Sequence, residues 1–278
     1  MIILRTKGQL GNQLFQYAFA RYIGLNKGIN KIILDPEFGG KSISDLGLVK
    51  LKDKLPLAYR LFYKHRHLGD KFSHFLLRKS PWGFCCIQQN ESDPFSIVTP
   101  KKNIGIHGRF QDFRLWIGHQ EIILTDIRKA ILKKSNIDFE KSESTLGIHI
   151  RRGDFLDAKY FHSIGALDVT YFADSINKAL KTQSFKKIIV FTDELNHPDI
   201  LALQREFNIT ICSSANMYDD FVGLMNCSHI IISNSTFSWW TAALGFGLES
   251  SNVWSPNAFK RTNAQPIDAH APKTWNLV

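Results

Sequence analysis

Five short apolar runs in the second half of the chain, at 146–150, 187–191, 208–212, 229–233 and 252–254, alternate with stretches of helical spacing at 169–180, 198–207, 219–226 and 236–246. Strands this short with little polar alternation are buried on both faces, which requires a parallel sheet with helices packed on either side. Sheets of that kind bind their ligands at the carboxyl ends of the strands. The residues that follow each run are therefore the first place to look for chemistry.

The first half begins in the same way, with a strand over 2–5, a helix over 12–25 and a strand over 32–34. It then becomes irregular, with a Pro- and Ser-punctuated region at 80–100, before a strand over 103–107 and a helix over 122–133. The polar segment 134–145 reads as a linker. A length of 278 residues suits about two domains, and the expected division is 1–140 and 141–278, two α/β lobes with a cleft between them. No run approaches the roughly 18 apolar residues of a membrane span, and Met1-Ile-Ile-Leu-Arg5 meets a charge too soon for a signal peptide. Cys85, Cys86, Cys212 and Cys227 lack metal-ligand spacing and suit a reducing compartment. The expected location is the cytoplasm.

The formal net charge is +10, which favours an anionic partner. Of this, +7 lies between Lys50 and Lys79, where nine basic residues face only Asp53 and Asp70. Leu57, Leu61, Phe62, Leu68, Phe72, Phe75 and Leu76 recur there at roughly helical spacing. A basic amphipathic stretch can face a membrane surface or a polyanion. A solvated helix with its apolar stripe on the core has the same pattern and is the plainer reading.

Three constellations carry chemistry. In Lys7-Gly-Gln-Leu-Gly-Asn-Gln-Leu-Phe-Gln-Tyr-Ala18, Gly8 and Gly11 allow close approach of a ligand to a strand-to-helix turn, and Asn12 and Gln13 add neutral hydrogen-bonding groups suited to hydroxyl-rich ligands. It is neither GxGxxG nor a P-loop, and a tight turn alone needs the same glycines. In His149-Ile-Arg-Arg-Gly-Asp154, Arg151 and Arg152 follow a strand and offer planar forks that match phosphate oxygens, with Asp154 able to orient an arginine. A buried structural salt bridge is the alternative, and the position in a loop at the ligand end of a sheet favours phosphate. In His229-Ile-Ile-Ile-Ser-Asn-Ser-Thr-Phe-Ser-Trp-Trp240, Ser235 or Thr236 caps a helix whose first amides would face a phosphate. Trp239 and Trp240, being adjacent, read as packing residues. Asp220, upstream on a helix, could accept from the ring NH and amino group of guanine, or be an ordinary surface aspartate.

LGNQLFQYA, HIRRGDF and SNSTFSWW, in this order and spacing, resemble the bacterial α-1,2-fucosyltransferases of glycosyltransferase family 11. The resemblance covers roughly two-thirds of the chain, and 50–100 takes no part in it. It implies a GT-B-type α/β fold of two Rossmann-like lobes, the acceptor held by the first and GDP-fucose by the second. It implies an inverting transfer of L-fucose from GDP-β-L-fucose to the 2-hydroxyl of a glycan acceptor, usually galactose, in a surface polysaccharide or oligosaccharide. By position, Arg151 is expected at the β-phosphate, and His149, Arg152, Asp154, Asn234, Ser235 and Thr236 complete the nucleotide site. Asp220 would read guanine, and Asn12 would lie near the reacting atoms, with Gln13 beside it on the acceptor side. Thr192-Asp193-Glu194 stands where the family usually has two acids after a small polar residue, which places Asp193 with the donor; Gln9 stands where it more often has glycine.

Leaving-group charge on the β-phosphate must be balanced. No Asp-x-Asp metal motif is present, and Arg151, Arg152 and a helix N-terminus can do that task, so no cofactor and no metal are expected. The acceptor could be lipid-linked, with 50–79 giving peripheral contact at the inner membrane face. Another regiochemistry is the alternative within the resemblance. A basic nucleic-acid-binding protein is the rival from another class; it gives no reason for HxRRxD, so no nucleic-acid partner is expected.

Overall fold

The computed structural model describes residues 1–35, 40, 42–51, 55, 56, 59, 84–88, 103–158, 164–212, 214, 216–259 and 271–278. Nearly all of the basic stretch from Lys50 to Lys79 lies outside the described residues. The chain falls into two compact units, Met1–Ala130 and Ile131–Val278. No described helix is long and apolar enough to cross a membrane.

In the first unit, β1 (Ile2–Arg5), β2 (Ile32–Leu34), β3 (Lys50–Leu51), β4 (Phe84–Gln88) and β5 (Asn103–His107) form a parallel sheet in the order β3-β2-β1-β5-β4. β3 and β4 fall in the region the sequence leaves irregular. α1 (Leu10–Lys27) follows β1 and is buried on most of its circumference for its first three turns. It ends at Gly28, whose left-handed φ of 64° suits a residue without a Cβ. A short α2 (Ser42–Asp45), a 3-10 turn (Phe113–Trp116) and α3 (Gln120–Leu132) complete the described elements. Arg5 and Asp35, both buried at the carboxyl ends of β1 and β2, form an ion pair at 3.2 Å, and the Tyr59 hydroxyl donates to the same carboxylate at 2.9 Å.

In the second unit, β6 (Thr145–Ile150), β7 (Lys187–Thr192), β8 (Ile209–Cys212), β9 (His229–Ile231), β10 (Val253–Ser255) and β11 (Asn276–Leu277) pair in parallel in the order β8-β7-β6-β9-β10-β11. This is the doubly wound order, with its topological switch between β6 and β9. α4 (Val169–Thr182), α5 (Pro198–Glu206), α6 (Met217–Asn226) and α7 (Thr236–Phe246) lie between the strands in sequence. Trp239 and Trp240 are both buried, edge to face with centroids 5.1 Å apart, as adjacent packing residues should be.

The polar segment read as a linker belongs to the second unit. The Asp219 carboxylate accepts from the Ser135 hydroxyl and the Asn136 amide at 2.9 and 2.6 Å, and Asn226 Oδ1 accepts from Glu140 N at 2.9 Å. Polar composition here marks a segment hydrogen-bonded to the ends of α6, not a free connection.

Gly147 sets how closely α6 approaches β6: a Cβ at this position would lie 2.7 Å from Cys227 Sγ and 3.3 Å from Leu224 Cδ2. The Gly147→Ala substitution is expected to cost about 1–3 kcal/mol through overpacking. A thermal melt checks this; an unchanged Tm would contradict the packing.

Candidate active site at the switch between β6 and β9

The loops leaving β6 and β9 meet at the carboxyl edge of the second sheet. His149, the next-to-last residue of β6, shares a 2.9 Å hydrogen bond between its Nδ1 and the Ser233 hydroxyl beyond β9. Ser233 lies 3.3 Å from the Ser238 hydroxyl, which donates back to the carbonyls of Ser233 and Ser235. The loop after β9 is thus tied to both β6 and α7. Burial, reinforced by the Arg151 charge, pushes the His149 pKa down to about 3, so the imidazole is neutral at pH 7.

Arg151 and Arg152 are adjacent and point to different fates. The Arg151 guanidinium is held between two carboxylates: Asp154 Oδ1 at 2.7 Å and Asp193 Oδ2 at 2.9 Å. Its side chain is 22% exposed, so the fork stays at the solvent edge. Arg152 is fully buried, paired with Asp199 at 2.6 Å and with its guanidinium over the Phe172 ring at 5.5 Å. This corrects the expectation that both arginines face a phosphate: Arg152 is turned into the unit, where Asp199 compensates its charge. Alternation at a strand end sends successive side chains opposite ways, a signal present in the sequence.

Asp193, at the end of β7, does two things at once. Its Oδ1 accepts from the Arg152 backbone amide at 2.9 Å, and its Oδ2 pairs with Arg151. A Cβ on residue 153 would sit 2.4 Å from that Oδ2, so Gly153 is required for the carboxylate to reach its place. Asp193 therefore orients Arg151 rather than facing a ligand on its own.

Ser235 caps α7, its hydroxyl accepting from Phe237 N at 3.2 Å, with Thr236 the first helical residue. Asn234 is buried and donates to the Gly165 carbonyl at 2.9 Å, which fastens the segment after the 3-10 turn at Gly153–Leu156 to the loop beyond β9. Asp220 Oδ1 accepts from the amide and hydroxyl of Ser214 at 3.1 and 2.7 Å, and burial raises its pKa against those two bonds. Among the described residues, no three His, Cys, Asp or Glu side chains come together as a metal set.

In the first unit, the corresponding edge carries Asn12 and Gln13. Gln13 is buried, its Nε2 donating to the Gly8 carbonyl at 2.8 Å and its Oε1 accepting from Ile43 N at 3.4 Å. Gln16 fastens the same turn through both its amide atoms and the Lys7 backbone, at 3.0 and 3.1 Å. Gln13 is thus internal, a correction to its expected place against the acceptor. Asn12 is half-buried at the edge, where its Oδ1 accepts from Gln111 Nε2. Gln111 and Asp199 lie outside every motif, whereas Ser233 and Ser238 lie within SNSTFSWW, where residue type alone does not single them out.

Two Rossmann-like α/β units, the second with a cationic fork and a capped helix at its switch point, are of the GT-B type. The chain belongs to glycosyl transferase family 11, whose model matches residues 86–276. It is 27% identical to the alpha-1,2-colitosyltransferase of Escherichia coli, covering 88% of this chain and 87% of that protein. It is 30% identical to the Escherichia coli O-antigen biosynthesis glycosyltransferase WbnK, covering 90% and 91%. Among solved structures, the E. coli heptosyltransferase WaaC with ADP aligns over 99% of this chain and 92% of its own, at TM-score 0.49 and 12% identity.

Because folding holds His149 neutral, the unfolded chain takes up a proton below about pH 6.5 that the folded chain refuses. Stability should fall as pH drops through that value, by about 1.4 kcal/mol per pH unit from this residue. Urea unfolding of wild type beside His149→Gln checks it: the variant loses that part of the slope. Equal slopes would contradict the assignment.

Proposed function

We propose that this glycosyltransferase moves L-fucose, with inversion, from GDP-β-L-fucose to the 2-hydroxyl of a galactose-containing surface glycan. The observation that carries the reading is Arg151, a guanidinium at the switch-point edge oriented by two carboxylates. The name of the WbnK relative supports an O-antigen acceptor.

A diphosphate reaching Arg151 must replace a carboxylate. Asp193 is also held by the Arg152 amide, and the more exposed Asp154 has fewer ties, so Asp154 gives way. The β-phosphate then rests on Arg151, with the first amides of α7, at Ser235 and Thr236, facing the nucleotide's negative charge. Asp220 accepts from guanine through the oxygen not taken by Ser214. His149, neutral, serves the pocket by holding Ser233 and brings no charge of its own.

The acceptor hydroxyl oxygen bonds to C1 of fucose as the bond from C1 to the β-phosphate oxygen breaks. The hydroxyl proton is lost to water, from which the departing phosphate takes one up, and the product is GDP with an α-linked fucoside. Asn12 positions the hydroxyl and takes no proton, an amide being no base at neutral pH. Arg151 balances the charge that grows on the phosphate, which removes the need for a metal at that oxygen.

A second reading replaces fucose by colitose, its 3-deoxy counterpart, and is favoured by the name of the colitosyltransferase relative. A site that hydrogen-bonds the 3-hydroxyl rejects the deoxy sugar strongly, whereas a site shaped for the deoxy sugar discriminates less. Competing GDP-fucose against GDP-colitose separates the two.

Transfer from GDP-fucose to galactose-terminated disaccharides should proceed unchanged in EDTA. Arg151→Ala should lower kcat by about 100-fold or more. Abolition by EDTA would overturn the metal-free step, and full activity of Arg151→Ala would overturn the phosphate assignment. Failure with both GDP-sugars, together with absence of GDP binding, would overturn the donor altogether.

A further inference from the structure

The loop after β5 holds Phe110 at φ 49°, a left-handed backbone that bulky side chains rarely adopt. Packing keeps it there: its ring is buried and stacked on Phe19 of α1, centroids 4.2 Å apart and planes 11° from parallel. On the other side, the Asp112 carboxylate accepts from Arg114 N at 3.0 Å and grips the Arg114 guanidinium at 2.7 Å. Such conformations persist where the surroundings over-determine them, and they gather at functional sites. The residue clamped between these anchors is Gln111.

Gln111 is half-buried, and its Nε2 donates to Asn12 Oδ1 across the switch between β1 and β5. A side-chain amide has one accepting and one donating end. With Oδ1 committed to Gln111, the donating Nδ2 of Asn12 is turned toward the β1–α1 turn, where a Cβ on Gly8 would lie 2.3 Å from it. Gly8, at φ 86° and without a Cβ, leaves room for the Asn12 amide to lie there.

We propose that Gln111 is a positioning residue that fixes the Asn12 amide with its N–H end presented to an oxygen of the acceptor sugar. This rests on the proposed reaction, in which Asn12 meets the acceptor. The Asn12 donor holds the acceptor oxygen by a lone pair and leaves that oxygen's own proton unengaged. Without Gln111, the amide is free to turn over and offer its oxygen instead.

The test uses two near-isosteric changes. Gln111→Glu has no donor and, by accepting from Asn12 Nδ2, reverses the amide. Asn12→Asp still accepts from Gln111 but has no donor for the sugar. Each should lower kcat for glycan transfer by about 100-fold, while GDP affinity, set in the other unit, and Tm stay at wild-type values. In the Asn12→Ala background, Gln111→Ala should add no further loss, the signature of one residue acting through the other.

Wild-type turnover by Gln111→Glu, or multiplicative losses in the double variant, would overturn the positioning role and leave the proposed reaction intact. A lowered Tm that accounts for the lost rate would also overturn it, as a structural role. A wild type that neither transfers from GDP-fucose or GDP-colitose nor binds GDP would overturn the reaction, and this role with it.

Discussion

The Asp193 carboxylate, shared between the Arg152 amide and the Arg151 guanidinium, is the interaction on which the second unit's edge depends. It joins β7 to the loop after β6 and leaves one fork at the solvent edge while its neighbour is buried. Only a glycine at 153 leaves room for it. The sheet order supplies the reason it falls here: β6 is the strand from which the chain leaves in both directions.

Charge compensation governs this edge. Arg152, buried, would be costly without Asp199. Arg151, partly exposed, carries two carboxylates, one of them bound elsewhere and one free to yield. Burial removes the charge of His149 and leaves a hydrogen-bonding strut to Ser233. The result is a cation held in position yet available to an anion, which suits a leaving group whose charge grows during the reaction.

Much of the second unit was legible because its strands are apolar throughout and its helices have ordinary caps: β6, β7 and α7 fall within a residue of their expected bounds. The run expected over 229–233 is shorter as a strand, because Ser233 leaves the ladder to meet His149 and Ser238. β3 and β11 have two residues each and carry no periodicity to read. The candidate site was legible by residue type and not by direction. Arg151 and Arg152 look alike until the strand end separates them, and Gln13 looks like a ligand contact until residue 43 takes its amide. Gln111 had no motif to announce it, since its role comes from a contact 99 residues away.

The most direct measurement is a crystal structure of the protein with GDP. The account predicts the β-phosphate on the Arg151 guanidinium, Asp193 still bonded to the Arg152 amide, Asp154 displaced from Arg151, and Arg152 still buried on Asp199. A β-phosphate held away from Arg151, or reached by an Arg152 drawn out of the unit, would contradict it.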